Sequence, residues 1–69
     1  MKFIELTSAN NGAKINFRVE KIVSLVDHTQ AVGDTIETNA FLWLDGMQEP
    51  FGVKEPTETI IERMKELMS

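Results

Sequence analysis

The chain has 69 residues, no cysteine, and a formal net charge of −4 from seven Lys+Arg against eleven Asp+Glu. With 42% hydrophobic residues it is too apolar for intrinsic disorder, and its length limits it to a single domain over residues 1–69. The lack of cysteine and the single His28 exclude disulfides and the usual zinc-ligand sets, so a partner subunit is the remaining way to stabilise so small a domain.

Charge and sequence pattern limit the classes of partner. The basic residues are few and scattered, whereas nonspecific nucleic-acid binding needs Lys and Arg to neutralise a row of phosphates. No apolar stretch approaches the roughly 18 residues of a membrane-spanning helix. Glu5 interrupts what would be the apolar region of a signal peptide, so we expect a cytoplasmic protein.

Two strands are predicted at the start of the chain. Residues 2–8 form the first strand. Asn11-Gly12 is a strong hairpin signal, because both residues tolerate a positive φ. Residues 13–18 then alternate apolar and polar side chains, which is the pattern of a strand with one buried face.

The middle of the chain contains the longest strand candidate. After a short turn at residues 19–21, residues 22–26 are apolar at both parities, which favours a strand covered on both faces. The polar segment at residues 27–34 predicts a loop, and Thr35–Leu44 predicts a long strand.

A second hairpin signal, Asp45-Gly46, precedes a returning strand at Met47–Val53. Pro50 lies within this segment and places it at an edge or a bulge, because proline donates no ladder hydrogen bond. About five short strands within residues 2–53 predict a mainly β, α+β fold. We expect a small curled antiparallel sheet or a closed barrel, followed by one C-terminal helix.

The helix is predicted over residues 57–68. Pro56 suits the first helical position, where its missing N–H costs nothing. Helical spacing produces one apolar stripe, made of Ile60, Ile61, Met64, Leu67 and Met68. We expect the first four of these to bury the helix, because a helix of this length is marginal in water on its own.

No group of residues predicts catalysis, a cofactor or a metal site. The carboxylates lie mostly at polar strand positions, in turns and on the outer helix face, where they are solvated, whereas catalytic carboxylates need burial or a charged neighbour. His28 has no predicted nucleophile to activate, and the four glycines are too scattered to cradle a phosphate. We therefore expect neither an enzyme nor a protein with a small-molecule substrate.

The aromatic residues are the candidate contact residues. Phe41 and Trp43 share one parity of the long predicted strand, while Leu42 and Leu44 share the other. One interpretation is that the helix covers one face and curling of the sheet covers the other. The alternative is that Phe41, Trp43 and Phe51 form a contact surface for another chain, since aromatic residues are enriched at the centres of interfaces.

The order of these elements resembles the small flagellar and swarming-motility proteins of the FlbD type. That family opens with an apolar strand ending Leu-Thr, followed by an Asn-Gly turn and a strand containing Ile-Asn or Leu-Asn. It continues with an Ile-rich strand, a Thr-x-Ile strand, and a Val-Lys-Glu-Ser segment that leads into an acidic, apolar helix. The corresponding segments here are Phe3–Thr7, Asn11-Gly12, Ile15-Asn16, Ile22–Leu25, Thr35-Ile36, Val53–Glu55 and Glu58–Ile60. The family has no catalytic residues, so the resemblance implies a non-enzymatic role.

The chain departs from that family at two places. Pro56 replaces the usual Ser before the helix, and the stretch Thr35–Val53 is longer than in the family. This extra length contains Phe41 and Trp43, so the aromatic surface is not part of the family pattern. Similar short proteins also occur among phage and prophage reading frames, which gives a second possible setting.

A second resemblance is to the CsrA-type post-transcriptional regulators, which are intertwined homodimers of five strands and a C-terminal helix that bind RNA. Leu6-Thr7 and Phe51–Glu55 are similar to segments of that family. RNA binding there depends on basic edge strands, where this chain has Lys2 and Lys54 among acidic residues. We therefore expect a non-enzymatic protein that self-associates or docks on a protein partner, with a CsrA-like RNA-binding homodimer as the alternative.

Overall fold

A computed structural model describes residues 2–69 of the chain. The elements follow one another as β1 (Phe3–Thr7), β2 (Lys14–Arg18), a 3₁₀ turn (Val19–Lys21), β3 (Ile22–Val32), β4 (Thr35–Leu44), β5 (Phe51–Val53) and α1 (Thr57–Met68). The predicted fold class, antiparallel strands followed by one C-terminal helix, is confirmed. Among residues 2–69, no helix has the length and apolar character needed to cross a bilayer.

The five strands form two antiparallel sheets that meet at β5. β1 pairs with β2, and β3, β4 and β5 form a three-stranded sheet in that order. β5 also bonds to the end of β1, because Lys54 N–H donates to Thr7 O at 2.8 Å and Ala9 N–H donates to Gly52 O at 3.1 Å. The curled sheet is therefore confirmed. The barrel alternative is wrong, because no ladder within residues 2–69 joins β2 to β3.

The loop predicted at residues 27–34 is wrong, because β3 continues through most of it. Asp27–Val32 pair with Thr35–Ala40 of β4, and only Gly33 and Asp34 turn the chain. Gly33 has a φ of 62°. A positive φ confined to the first of two turn residues matches the type II′ turn, whose twist suits a tight hairpin.

Both predicted hairpin signals mark turns, but both connections are longer than two residues. In the first, Gly12 alone takes a positive φ, of 74°. The second begins as a tight turn in which Met47 N–H donates to Leu44 O at 3.0 Å. The returning strand covers only β5 instead of residues 47–53, because Pro50 lacks the N–H that a ladder requires.

A single core lies between the β1–β2 hairpin, one face of β4, β5 and α1. Its buried hydrophobic residues are Ile4, Leu6, Phe17, Val19, Ala40, Leu42, Val53 and Ile60. We refer to the side of β4 that presents Ala40 and Leu42 as the inner face. Each fully buried large aliphatic side chain contributes about 1.5–3 kcal/mol, so this cluster supplies most of the drive for folding.

α1 covers the predicted residues 57–68, but Pro56 is not its first helical residue and less of the apolar stripe is buried than expected. Pro56 has φ −72° and ψ 162°, which is extended backbone, so it is the N-cap and not the first helical residue. A side chain from β3 caps the start of the helix: Asp27 Oδ1 accepts the Thr57 N–H at 2.9 Å. Ile60 is buried but Ile61 is 43% exposed, so the expectation that Ile61 buries the helix is wrong. The reason is that α1 rests on the sheet along one flank only.

Glu55 fastens β1 to the segment that leads into α1. Its carboxylate accepts the Thr7 N–H at 2.9 and 3.1 Å and the Thr7 hydroxyl at 2.9 Å, and Arg63 Nη1 lies 3.7 Å from its Oε2. Burial alone raises the pKa of Glu55. The hydrogen bonds from Thr7 and from its own N–H, together with the Arg63 charge, outweigh burial and hold the pKa below its ordinary value of 4.5.

Glu55→Gln is expected to lower the free energy of unfolding at pH 7 by about 1–3 kcal/mol, because a charged acceptor of two donors is lost. Since the native pKa lies below the unfolded value of about 4.5, the ionised group stabilises the fold above that pH. The contribution disappears as the pH falls through the native pKa. Urea unfolding between about pH 7 and pH 3 measures the loss, which should be smaller in Glu55→Gln than in the wild type.

The matched control is Glu49→Gln, which removes the same charge from an exposed loop position. We expect its stability and its pH dependence to match the wild type. Equal pH dependence for the wild type and Glu55→Gln would contradict the role assigned to Glu55.

Candidate protein-interaction surface

Both carboxylates with shifted pKa values are held by contacts within the fold, Glu55 by a different element and Glu20 by its near neighbour Arg18. The hydrogen bond from Arg18, at 2.7 Å, is the main cause of a lowered pKa at Glu20, and the pKa of Glu55 is lowered as described above. A carboxylate with a lowered pKa stays ionised and cannot act as a general acid near neutral pH. Within residues 2–69, no three His, Asp or Glu side chains group together as metal ligands do. His28 is exposed, with its ring centroid 5.2 Å from that of Phe41.

The register of β3 and β4 divides their side chains between two faces. Leu25 pairs with Leu42 on the inner face. Because side chains alternate along a strand, the neighbouring pairs, Val26 with Phe41 and Ser24 with Trp43, lie on the opposite side. A β-bulge between Ile22 and Ser24 adds Val23 next to them. We refer to the apolar side chains of this side as the outer face: Val23, Val26, Phe41, Trp43 and Met47.

The outer face is open to solvent. Val23 is 66% exposed and Val26 is 50% exposed, while Phe41 and Trp43 are half-buried. Val23, Val26, Trp43 and Met47 take part in lining a shallow depression of about 470 Å³. The expectation that residues 22–26 are covered on both faces is therefore wrong, because α1 and the β1–β2 hairpin both pack on the inner side.

Phe51 does not join Phe41 and Trp43. It pairs with Leu42 on the inner side, and its ring meets that of Phe17 edge-on with the centroids 5.4 Å apart. Phe41 instead lies on the outer face, beside Gly52. The three aromatic residues named from the sequence are thus divided between the core and the surface, and a contact role for Phe41 and Trp43 stays a prediction.

Beyond Ala40, the β3–β4 hairpin leaves the core as an arm. We define the arm as residues 28–38, all of which are exposed. The molecule is correspondingly elongated, with a longest dimension of 41 Å and a radius of gyration of 12.2 Å, against about 11 Å for a compact chain of this length. Ile36, on the arm, is 75% exposed. A two-stranded ribbon is marginally stable in water, so the arm should open more readily than the rest of the sheet.

Comparison of the chain with models of known protein families, with characterised proteins and with solved structures finds no match. A function must therefore be inferred from the surface itself. Two residues of the outer face, Phe41 and Trp43, are predicted as contact residues from the sequence. Val23 and Val26 are not, because a run that is apolar at both parities is equally typical of a strand covered on both faces.

Backbone amides of the arm are expected to exchange with deuterium at least ~10-fold faster than those of Ala40–Leu42, which lie in the centre of the three-stranded sheet. Ile36→Thr should change the free energy of unfolding by less than ~0.5 kcal/mol, whereas Leu42→Ala should cost about 2–5 kcal/mol. Hydrogen exchange and urea unfolding of dilute protein measure both effects. Strong protection of the arm amides in dilute protein would contradict the description of the arm.

Proposed function

We propose that this chain is a small, non-enzymatic protein that acts by binding another protein chain through its outer face. The observation that supports the proposal is the uncovered apolar surface around Val23, Val26 and Trp43. Contiguous apolar side chains left exposed on a small domain are typical of interaction sites. Trp43, the single tryptophan of the chain, belongs to the residue type most enriched where interface energy concentrates.

The sequence resemblances supply a setting for this proposal. Similarity to small flagellar and swarming-motility proteins of the FlbD type, and to short phage and prophage proteins, supports a cytoplasmic role in one of these systems. The partner is then a component of that system or a second copy of this chain. Neighbouring genes distinguish the two settings, because a flagellar operon and a phage cassette have different contents.

The charges favour a protein partner over RNA. Arg18 contacts Glu20 at 2.7 Å and Arg63 contacts Glu55 at 3.7 Å, so these two cations are already paired. Among the residues that the structure describes, the lining of the depression on the outer face includes Asp45 but no Lys or Arg. A gel-shift series against salt separates the two functions, because phosphate contacts lose affinity steeply as salt rises, and no binding at about 50 mM salt removes the RNA alternative.

Photocrosslinking in cells that naturally express the chain tests the proposal directly. A photoreactive phenylalanine analogue is placed at Met47 on the outer face. The matched control carries it at Gln30, which points to the same side of the sheet but lies on the arm. We expect a protease-sensitive adduct from position 47 only. A nuclease-sensitive adduct would favour RNA, and equal yields from the two positions, or none, would contradict the proposal.

Trp43→Ala is expected to weaken association with the crosslinked partner at least ~10-fold, equivalent to about 1.4 kcal/mol, because Trp43 lies among the outer-face side chains. The free energy of unfolding should fall by less, about 1 kcal/mol, since the side chain is only half-buried. Sedimentation velocity of the mixture and urea unfolding measure the two effects. Association that is unchanged by Trp43→Ala would show that the outer face is not the contact.

A further inference from the structure

α1 carries more apolar surface than the sheet covers. Ile60 is buried in the core, whereas Ile61 and Met68 on the adjoining flank are 43% and 67% exposed. We refer to Ile61, Met64 and Met68 as the helix stripe; their spacing of three and four residues aligns them along one side of the helix. The stripe borders a depression of about 450 Å³ that also reaches Leu25 of β3.

Two opposite charges flank the helix stripe on its solvent side. Glu58 and Lys65 are seven residues apart, or about two helical turns, so both lie on the same margin, next to Ile61. Both residues are exposed. The margin is therefore acidic at its start and basic at its end. It is complementary to a second copy of itself that runs in the opposite direction, whereas a copy running in the same direction does not bring unlike charges together.

We propose that a second copy of this chain docks on the helix stripe, with the two α1 helices antiparallel about a two-fold axis. Ile61 and Met64 of each copy then meet at the centre, as at the seam of an antiparallel helix pair. Glu58 of each copy faces Lys65 of the other, so the symmetry forms the unlike pair twice. The occupant follows from this self-complementarity of charge.

The size of the surface sets the strength of the dimer. α1 has 12 residues and is therefore about 18 Å long. A helix pair of this length buries less than the roughly 800 Å² per partner of a standard interface, so we expect a reversible dimer with a dissociation constant on the order of micromolar. The outer face lies on the other side of the sheet and stays free. The dimer thus goes beyond the proposed function and does not depend on it.

Sedimentation equilibrium of the full chain, between about 5 and 500 µM, tests the dimer with charge variants. Lys65→Glu places like charges opposite each other twice and should raise the dissociation constant at least ~10-fold, and Glu58→Lys should do the same. Combining the two substitutions restores unlike pairs and should return the constant to within about 3-fold of wild type. Ile61→Lys, at an exposed position, should abolish the dimer without unfolding the chain.

The matched control is Glu66→Lys, which makes the same charge change as Glu58→Lys but lies about 140–160° round the helix from the stripe residues, so it should leave the dissociation constant unchanged. Circular dichroism verifies that α1 persists in each variant. A chain that stays monomeric at every concentration, a dimer insensitive to Ile61→Lys, or a combined variant as weak as the single ones would overturn the proposal.

The fluorescence of Trp43 separates this inference from the proposed function. Dimerisation through α1 should leave its emission unchanged, because Trp43 lies on the other side of the sheet. A blue shift of the Trp43 emission that grows with concentration and that Ile61→Lys does not reduce would place self-association on the outer face. That result would overturn the α1 dimer while supporting the outer face as a contact surface. If no crosslink forms at Met47 but Ile61→Lys abolishes the dimer, the proposed function is contradicted and the α1 dimer is supported.

Discussion

The architecture depends on the single core that forms against one side of β4. Ala40 and Leu42 point into this core, the β1–β2 hairpin closes over it, and α1 packs at its edge through Ile60. Because side chains alternate along a strand, placing Leu42 inward forces Phe41 and Trp43 outward. Among the elements described over residues 2–69, the β1–β2 hairpin and α1 both pack on the inner side, so neither covers these two side chains. The open outer face is therefore a consequence of how the core is built.

Polar contacts join the remaining elements to this core. The Glu55 carboxylate binds the N–H and the hydroxyl of Thr7, which fixes the last residue of β1 beside the segment that enters α1. Asp27, in β3, accepts the first helical N–H, from Thr57. A carboxylate at a helix N-terminus is favourable for the helix dipole as well as for the unpaired amide. Asp27 also marks the end of the covered part of β3, so one side chain links the base of the arm to the start of the helix.

Much of the fold can be predicted from the sequence, because alternation and helical spacing are strong local signals. The strand at Thr35–Leu44 and the helix at residues 57–68 follow from such signals. The continuation of β3 through residues 27–32 does not, because a ladder exposed on both faces accepts polar side chains and loses its alternation. The position of Phe51 on the inner side could not be predicted either. The irregular segment between β4 and β5 interrupts the alternation, so counting residues from β4 does not show which side Phe51 faces.

The surface is harder to predict than the fold, for a physical reason. An apolar helix stripe, or a strand that is apolar on both faces, predicts that these side chains are covered. The pattern does not tell whether the covering surface belongs to the same chain or to another chain. Ile61 and Val23 both fit a core role in the sequence, and the structure leaves both exposed. Only the three-dimensional arrangement separates the inner face, which the chain covers itself, from the outer face and the helix stripe.

The central claim is that the chain leaves two separate apolar surfaces uncovered, the outer face and the helix stripe, and that a second copy covers only the helix stripe. Methionine oxidation by dilute peroxide, read by peptide mass spectrometry, tests this claim, because Met47 lies on the outer face, whereas the exposed Met68 and the half-buried Met64 lie on the helix stripe. At about 1 µM protein, Met47 and Met68 should both oxidise faster than Met64, and at about 200 µM Met64 and Met68 should become protected while Met47 stays reactive. Oxidation of Met47 and Met68 no faster than Met64 in the dilute sample would contradict the account, because the chain would then cover these surfaces itself.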